Sequence, residues 1–186
     1  MRYIIASDIF GKTPALALLA QSIRANNNFT IITPYQNGLY FTDEAQAYEY
    51  FSQQVGIENY YQQLSGYLKT IKQPFRLIGF SAGAAVCWQH IAKNNAEYLL
   101  QSDLFYGSQI RNMQSLVPLS PVNLILPKSE PHFSIDDHIQ ALTGKKHTSI
   151  EHSEYLHGFM NQLSKNYHQQ AYAHYVNVLS RNERTK

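Results

Sequence analysis

Residues 75–90 read Phe75-Arg76-Leu77-Ile78-Gly79-Phe80-Ser81-Ala82-Gly83-Ala84-Ala85-Val86-Cys87-Trp88-Gln89-His90, and the order of residue types in this stretch points to the fold. Phe75–Phe80 is a short apolar run of strand length, whereas Ala82 to about Lys93 is rich in alanine and has the length of a helix. Between them lies Gly79-Phe80-Ser81-Ala82-Gly83, a G-x-S-x-G pattern at a strand-to-helix junction. A serine held in so sharp a turn projects its hydroxyl above the sheet, and its neighbours must be small because other backbone passes close by. The N-terminus of the helix behind it points free N–H groups toward any negative charge that develops there.

Working outward, aliphatic runs and helical patterns alternate. Arg2–Ser7 reads as a strand, and Thr13 before Pro14 as an N-cap followed by proline in the first helical position, opening a helix through Ile23. Phe29–Tyr35 is a second strand, followed by helical stretches over about Asp43–Gln54 and Glu58–Thr70. Beyond the helix after Ser81, strands are expected at Asp103–Gly107, Val122–Leu126 and Thr148–Glu151, with a helix at Ile135–Leu142. Phe159, Leu163, Tyr167, Ala171, Tyr175 and Leu179 recur every four residues and predict a final helix, with Arg181–Lys186 as a polar tail. This alternation implies βαβ units and a mostly or wholly parallel sheet of about six strands with helices on both faces. Function in such sheets gathers at the carboxyl ends of the strands. The residues that follow them are Asp8–Thr13, Pro34 and Tyr35, Ser81 and Ala82, Gly107–Gln109, Pro127–His132 and His152–Phe159.

Composition bounds the rest. The chain has 186 residues, enough for a single domain over 1–186, with 44% hydrophobic and 15% charged residues. No apolar run nears the roughly 18 residues a membrane helix needs. The net charge is +2 without a dense basic stripe, so no nucleic-acid or membrane partner is expected. A single cysteine, Cys87, excludes an internal disulfide framework and a cysteine-built zinc site. His147, His152 and His157 are spaced by five, which does not set ligands on one helix face. No metal and no cofactor are expected, and the chain reads as cytoplasmic, a monomer or small homo-oligomer.

A serine hydroxyl needs a base, and the base an orienting carboxylate; in this kind of fold their order along the chain is serine, acid, histidine. Glu130 follows the fifth strand and His157 the last, whereas Asp136 and Asp137 fall inside the next helix pattern. His147 and His152 lie at or within a strand, and His168 and His174 within the expected final helix.

Four short stretches, in order, resemble the dienelactone hydrolase family of α/β-hydrolases: Asp8-Ile9-Phe10-Gly11, Gly79-Phe80-Ser81-Ala82-Gly83-Ala84, Phe105-Tyr106-Gly107 and His157-Gly158-Phe159. The resemblance implies a three-layer α/β-hydrolase-like fold and a carboxylic-ester hydrolase. Ser81 would attack a small ester, lactone or thioester, with His157 as base, Glu130 orienting it, and the N–H groups of Ile9 and Ala82 as the oxyanion hole. Asp8 and Tyr35 would line the substrate pocket. The best-known members carry cysteine in place of Ser81, glutamate in place of Asp8 and aspartate in place of Glu130. Those that cleave dienelactone have an arginine where this chain has Asn161, so that substrate is not expected. Only Gln109–Pro121 separates the fourth and fifth strands, leaving no room for a cap domain, and an open site for small or exposed acyl groups is expected.

Two other readings share these residues. One is a non-catalytic binding protein on the same scaffold. The other is nucleotide binding at Ala6–Thr13, where Gly11-Lys12-Thr13 ends a relaxed phosphate-loop pattern. Against the latter, Pro14 removes an N–H where phosphate would sit, and no later strand ends in a magnesium-binding aspartate.

Overall fold

The structure, a computed structural model, describes residues 1–23, 28–95 and 97–181. The six strands are β1 (Arg2–Ala6), β2 (Phe29–Ile32), β3 (Phe75–Phe80), β4 (Leu99–Phe105), β5 (Val122–Leu126) and β6 (Thr148–His152). The α-helices are α1 (Pro14–Ile23), α2 (Glu44–Tyr50), α3 (Gly56–Leu68), α4 (Ala82–Lys93), α5 (Ile135–Leu142) and α6 (Gln169–Arg181). A π-helical stretch, Phe51–Val55, joins α2 to α3, and a 3₁₀ turn, Ser108–Met113, follows β4.

All six strands are parallel, in the order β2-β1-β3-β4-β5-β6. Alternation along each strand divides the side chains between two cores. Tyr3 and Ile5 of β1, Ile78 and Phe80 of β3 and Phe105 of β4 pack with Leu19 of α1 and Ala171, Tyr175 and Leu179 of α6. Ile4, Leu77, Leu104 and Leu124 face the other way, onto Tyr60 and Leu64 of α3, Trp88 and Ile91 of α4 and Leu142 of α5. Helices on both faces leave β3 buried throughout, which explains its continuous apolar run.

The chain leaves β1 toward β2, then crosses back over β1 to β3 and runs the other way to β6. The reversal sits between β1 and β3, so the loops at their carboxyl ends diverge and open a crevice there. Tyr60 of α3 fixes the mouth of this crevice by donating from its hydroxyl to the carbonyls of Ser7 and Ile32, both at 3.0 Å.

Two sequence expectations are corrected. The final helix begins at Gln169, ten residues later than the four-residue recurrence suggested. Between Gly158 and His168, asparagine and serine side chains take up backbone N–H groups: Asn161 Oδ1 accepts from Leu163 at 2.9 Å and Ser164 Oγ from Asn166 at 3.2 Å. Such local bonds compete with helix formation, and this segment folds into turns instead. β4 starts at Leu99 and ends at Phe105, not over Asp103–Gly107. Asp103 is buried mid-strand because Asn123 Nδ2 donates to it at 2.8 Å and Arg76 lies 3.7 Å away. The expected tail beyond Arg181 lies outside the described residues.

The first turn of α4 crosses the end of β1 very closely. A Cβ on Gly83 would stand 2.3 Å from the carbonyl oxygen of Ala6 and 2.5 Å from that of Ser7. Neither backbone can yield without moving β1, so Gly83→Ala should destabilise the fold by about 3 kcal/mol or more. Chemical denaturation measures this, and a loss under about 0.5 kcal/mol, typical of a neutral surface change, would contradict the crossing described.

Candidate active site

Ser81 sits at the tip of the β3–α4 turn with φ 51° and ψ −113°, a conformation costly for any residue with a Cβ. Its N–H donates to the Phe105 carbonyl at 3.0 Å, continuing the ladder to β4 by one residue. The turn therefore raises Oγ above the sheet edge. There it lies 2.9 Å from Nε2 of His157.

His157 is carried by the loop after β6. Gly158 turns that loop with φ +88°, where a Cβ would also meet Ser164 Oγ at 2.5 Å. Asn166 Nδ2 donates to the His157 carbonyl at 2.8 Å and holds the loop from behind. Nδ1 of the ring lies 2.8 Å from Oε1 of Glu130 in the loop after β5. Those two loops are themselves tied by Lys128 N–H donating to the Tyr155 carbonyl at 2.7 Å. With Nδ1–H directed at the carboxylate, Nε2 turns its lone pair to the Ser81 hydroxyl. Ser81, His157 and Glu130 thus form one hydrogen-bonded chain, although 76 residues separate serine from histidine.

Sequence reasoning missed Ser108. Its hydroxyl donates to the same Oε1 of Glu130 and lies 2.9 Å from His157 Nδ1. Arg111 in turn donates from Nη1 to the Ser108 carbonyl at 2.9 Å. Burial alone would raise the Glu130 carboxyl, but bonds from His157 and Ser108, with the charges of His157 and Arg111, hold it below its usual range. The one signal available was position, since Ser108 directly follows a strand end. No motif attaches to it. Asp136 and Asp137, by contrast, lie exposed in the first turn of α5.

The Asp8-Ile9-Phe10-Gly11 turn forms the other wall. Gly11 N–H closes it on the Asp8 carbonyl at 3.2 Å, and Phe41 N–H fastens it from outside through the Phe10 carbonyl at 2.9 Å. Among the described residues, neither the N–H of Ile9 nor that of Ala82, the first residue of α4, enters a hydrogen bond. Asp8 points into the crevice, its oxygens accepting from Phe10 N–H at 3.0 Å and Asn161 Nδ2 at 2.7 Å. Burial pushes its carboxyl up to about 6, against the pull of those two bonds and of His157. The Asn161 side chain is spent on Asp8. Tyr35 does not line the cleft at Ser81. It is buried against Phe41 and Tyr50, its hydroxyl donating to the Ile9 carbonyl, and so holds the turn from below.

The same turn answers the phosphate-loop reading. Asp8 puts a carboxylate where an anion would have to lie, and it already accepts the Phe10 N–H. Thr13 Oγ1 accepts from Leu16 N–H at 3.1 Å as the cap of α1.

The cleft at Ser81 is small, about 30 Å³, and is bounded by Asp8, Ile9, Glu44, Tyr106, His157 and Asn161. An adjoining cavity of about 20 Å³ shares Asp8, Tyr106 and Asn161 and is otherwise lined mainly by apolar side chains, among them Leu16, Leu19, Phe80 and Met160. The six-stranded parallel sheet with helices on both faces superposes on known structures. The chain has the α/β-hydrolase fold of dienelactone hydrolase-like proteins. A dienelactone hydrolase candidate from Klebsiella pneumoniae subsp. pneumoniae MGH 78578 superposes with a TM-score of 0.69 over 96% of this chain and 84% of its own, at 16% identity. A dienelactone hydrolase-like promiscuous phosphotriesterase, P91, from metagenomic libraries gives 0.61 over 96% and 84%, at 13% identity. An alpha-beta serine hydrolase homologue from Coxiella burnetii gives 0.59 over 97% and 84%, at 10% identity. By sequence, the uncharacterized protein YczH of Bacillus subtilis (strain 168) is 29% identical over 171 residues, spanning 85% of this chain and 80% of that protein. No model of a known protein family matches the chain. No helix among the described residues is long and apolar enough to cross a membrane.

Asp8 titrates at about 6 in the folded chain against 3.8 ordinarily, so the unfolded chain binds fewer protons between those values and stability falls as pH rises through that window. Asp8→Asn removes this cost, and its gain over wild type should be largest at pH 7.5, up to about 3 kcal/mol, shrinking toward pH 4.5. Denaturation at both pH values tests this; a gain independent of pH contradicts it. Ser108→Ala leaves Glu130 with one donor fewer. If the serine–histidine pair turns over an ester, kcat should fall about tenfold with KM little changed, as expected for losing one bond to a charged group.

Proposed function

We propose that the protein is a hydrolase that cleaves a small ester, lactone or thioester through an acyl-enzyme, with Ser81 as nucleophile, His157 as base and Glu130 as orienting acid. The hydrogen-bonded chain from Ser81 Oγ through His157 to Glu130, at 2.9 Å and 2.8 Å, carries this reading. His157 Nε2 takes the hydroxyl proton as Ser81 Oγ bonds to the carbonyl carbon. Negative charge moves to the carbonyl oxygen, for which the N–H groups of Ile9 and Ala82 are the available donors. When the tetrahedral species collapses, the bond to the leaving group breaks and His157 returns the proton to it. Water, deprotonated by the same imidazole, then releases the acid and regenerates Ser81. Glu130, kept ionised by its two donors, stabilises the imidazolium at both steps. Solved neighbours described as dienelactone hydrolase-like and serine hydrolase-like lend support through the fold.

The cleft volume favours short acyl groups, so rates should fall along an ester series beyond about four carbons. The decisive experiment is labelling by a fluorophosphonate probe together with hydrolysis of a short ester. Wild type should label and turn over. Ser81→Ala should abolish labelling, and Ser81→Ala and His157→Ala should each lower kcat by at least about 10³-fold. A folded wild type that neither labels nor hydrolyses would favour the non-catalytic binding reading, and labelling that survives Ser81→Ala would assign the wrong hydroxyl.

A further inference from the structure

Tyr106, the residue after β4, lines the cleft with a polar group that the acyl-transfer reading leaves unused. It adopts φ 40°, is 1% exposed and packs its ring against His157 and Phe159, with centroids 4.9 and 5.3 Å apart. It lines both the cleft at Ser81 and the adjoining apolar cavity. Its hydroxyl is buried without a hydrogen-bond partner. The backbone N–H of Met160, which acts on this oxygen, could only give a proton to it, so the phenolic proton itself has no acceptor. A buried donor left unmet is costly, and one beside a candidate nucleophile is suited to a group that arrives with the substrate.

Asp8 supplies the complementary half. It lines the same two cavities, and its charge reaches the Tyr106 hydroxyl. Each carboxylate oxygen accepts one hydrogen bond and keeps lone-pair capacity for another. No lysine or arginine lines either cavity among the described residues, so the only positive charge that acts on it from the cleft lining is that of His157, and Glu44 adds a second acid at the rim.

We propose that the acyl group of the substrate is short and carries a hydroxyl, which accepts from Tyr106 and donates to Asp8. The proposal rests on the acyl-transfer reading and names its substrate class. Other substituents match less of the site. A carboxylate would be repelled by Asp8 and Glu44. A ketone could use Tyr106 alone, and an ammonium could use Asp8 alone, leaving the phenolic proton unmet. A hydroxyl is both donor and acceptor and uses the pair. Cavities of about 20 and 30 Å³ have room on the scale of one water each, so the hydroxyl takes a place that water would otherwise fill. Leu16, Leu19, Phe80 and Met160 line the rest of the smaller cavity and bound the size of the group that enters it.

The test compares kcat/KM for the ethyl esters of butyrate, 2-hydroxybutyrate, 3-hydroxybutyrate and the succinate half-ester. One hydroxy ester should exceed butyrate by at least about tenfold, since a site built to bond a hydroxyl discriminates against its absence, and the succinate half-ester should fall below butyrate. Tyr106→Phe keeps the ring against His157 and removes only the hydroxyl, so it should bring the hydroxy-to-plain ratio down toward one. Butyrate equal to or better than both hydroxy esters, or a ratio unchanged in Tyr106→Phe, overturns the proposal while leaving the esterase reading intact. No turnover of any ester, with no fluorophosphonate labelling, removes both. Should Tyr106→Phe not fold, competitive inhibition of wild type by the free acids decides: the hydroxy acid should inhibit more strongly than butyrate, and equal inhibition overturns the proposal.

Discussion

The close passage of α4 over the end of β1 sets the geometry on which the site depends. With Gly83 pressed against the Ala6 and Ser7 carbonyls, the helix starts almost on top of the sheet, and the chain between β3 and α4 has a single residue in which to turn. Ser81 takes up that turn in a strained backbone conformation. The strain is sustained because β3 is buried between both cores and α4 packs into one of them, so strand and helix on either side are both fixed. The same closeness brings the N–H of Ala82 toward the Ile9 turn after β1, so two unspent donors and one hydroxyl meet at one sheet edge. A longer connection would relax the serine and separate those groups.

Two carboxylates near the imidazole are treated in opposite ways. Glu130 receives hydrogen bonds from His157 and Ser108 and the nearby charge of Arg111, and stays ionised although partly buried. Asp8 receives two bonds from neutral groups and the charge of His157 but no bond from a cation, so burial dominates and its carboxyl is pushed up to about 6. Environments that push like groups apart in this way mark sites where acid and base roles are divided. Here the ionised group holds the histidine, and the other gives the floor of the cleft an uncompensated acceptor.

Much of this was legible in the chain. β3, α4, β5 and α5 have the bounds expected from apolar runs and caps, because for each of them local propensity and tertiary packing agree. Thr13 and Pro14 mark the start of α1 through a cap that can be read from two residues. The segment 159–168 misled for a physical reason: its apolar spacing is helical, but its asparagine and serine side chains satisfy the backbone locally, and Phe159 is drawn into the aromatic cluster with Phe105 and Tyr175. Asp103 misled in the same way, a charge that marks a strand end in isolation but sits mid-strand beside Arg76 and Asn123. Tyr35 follows β2 but its ring packs beneath the Ile9 turn, since nothing local tells an aromatic ring which core will accept it.

The sequence by itself determined the parallel α/β architecture, the serine turn and the chain order of serine, acid and histidine, because periodicity, small residues and caps act over a few positions. Tertiary structure alone decided that Ser108 shares Glu130 with the histidine, that Asn161 is spent on Asp8, and that the Tyr106 hydroxyl is left without an acceptor. Those outcomes depend on which groups from distant strand ends lie within about 3 Å of one another, the range over which a hydrogen bond forms. Convergence of that kind is fixed by the packing of the sheet and its two helical layers, not by any spacing along the chain.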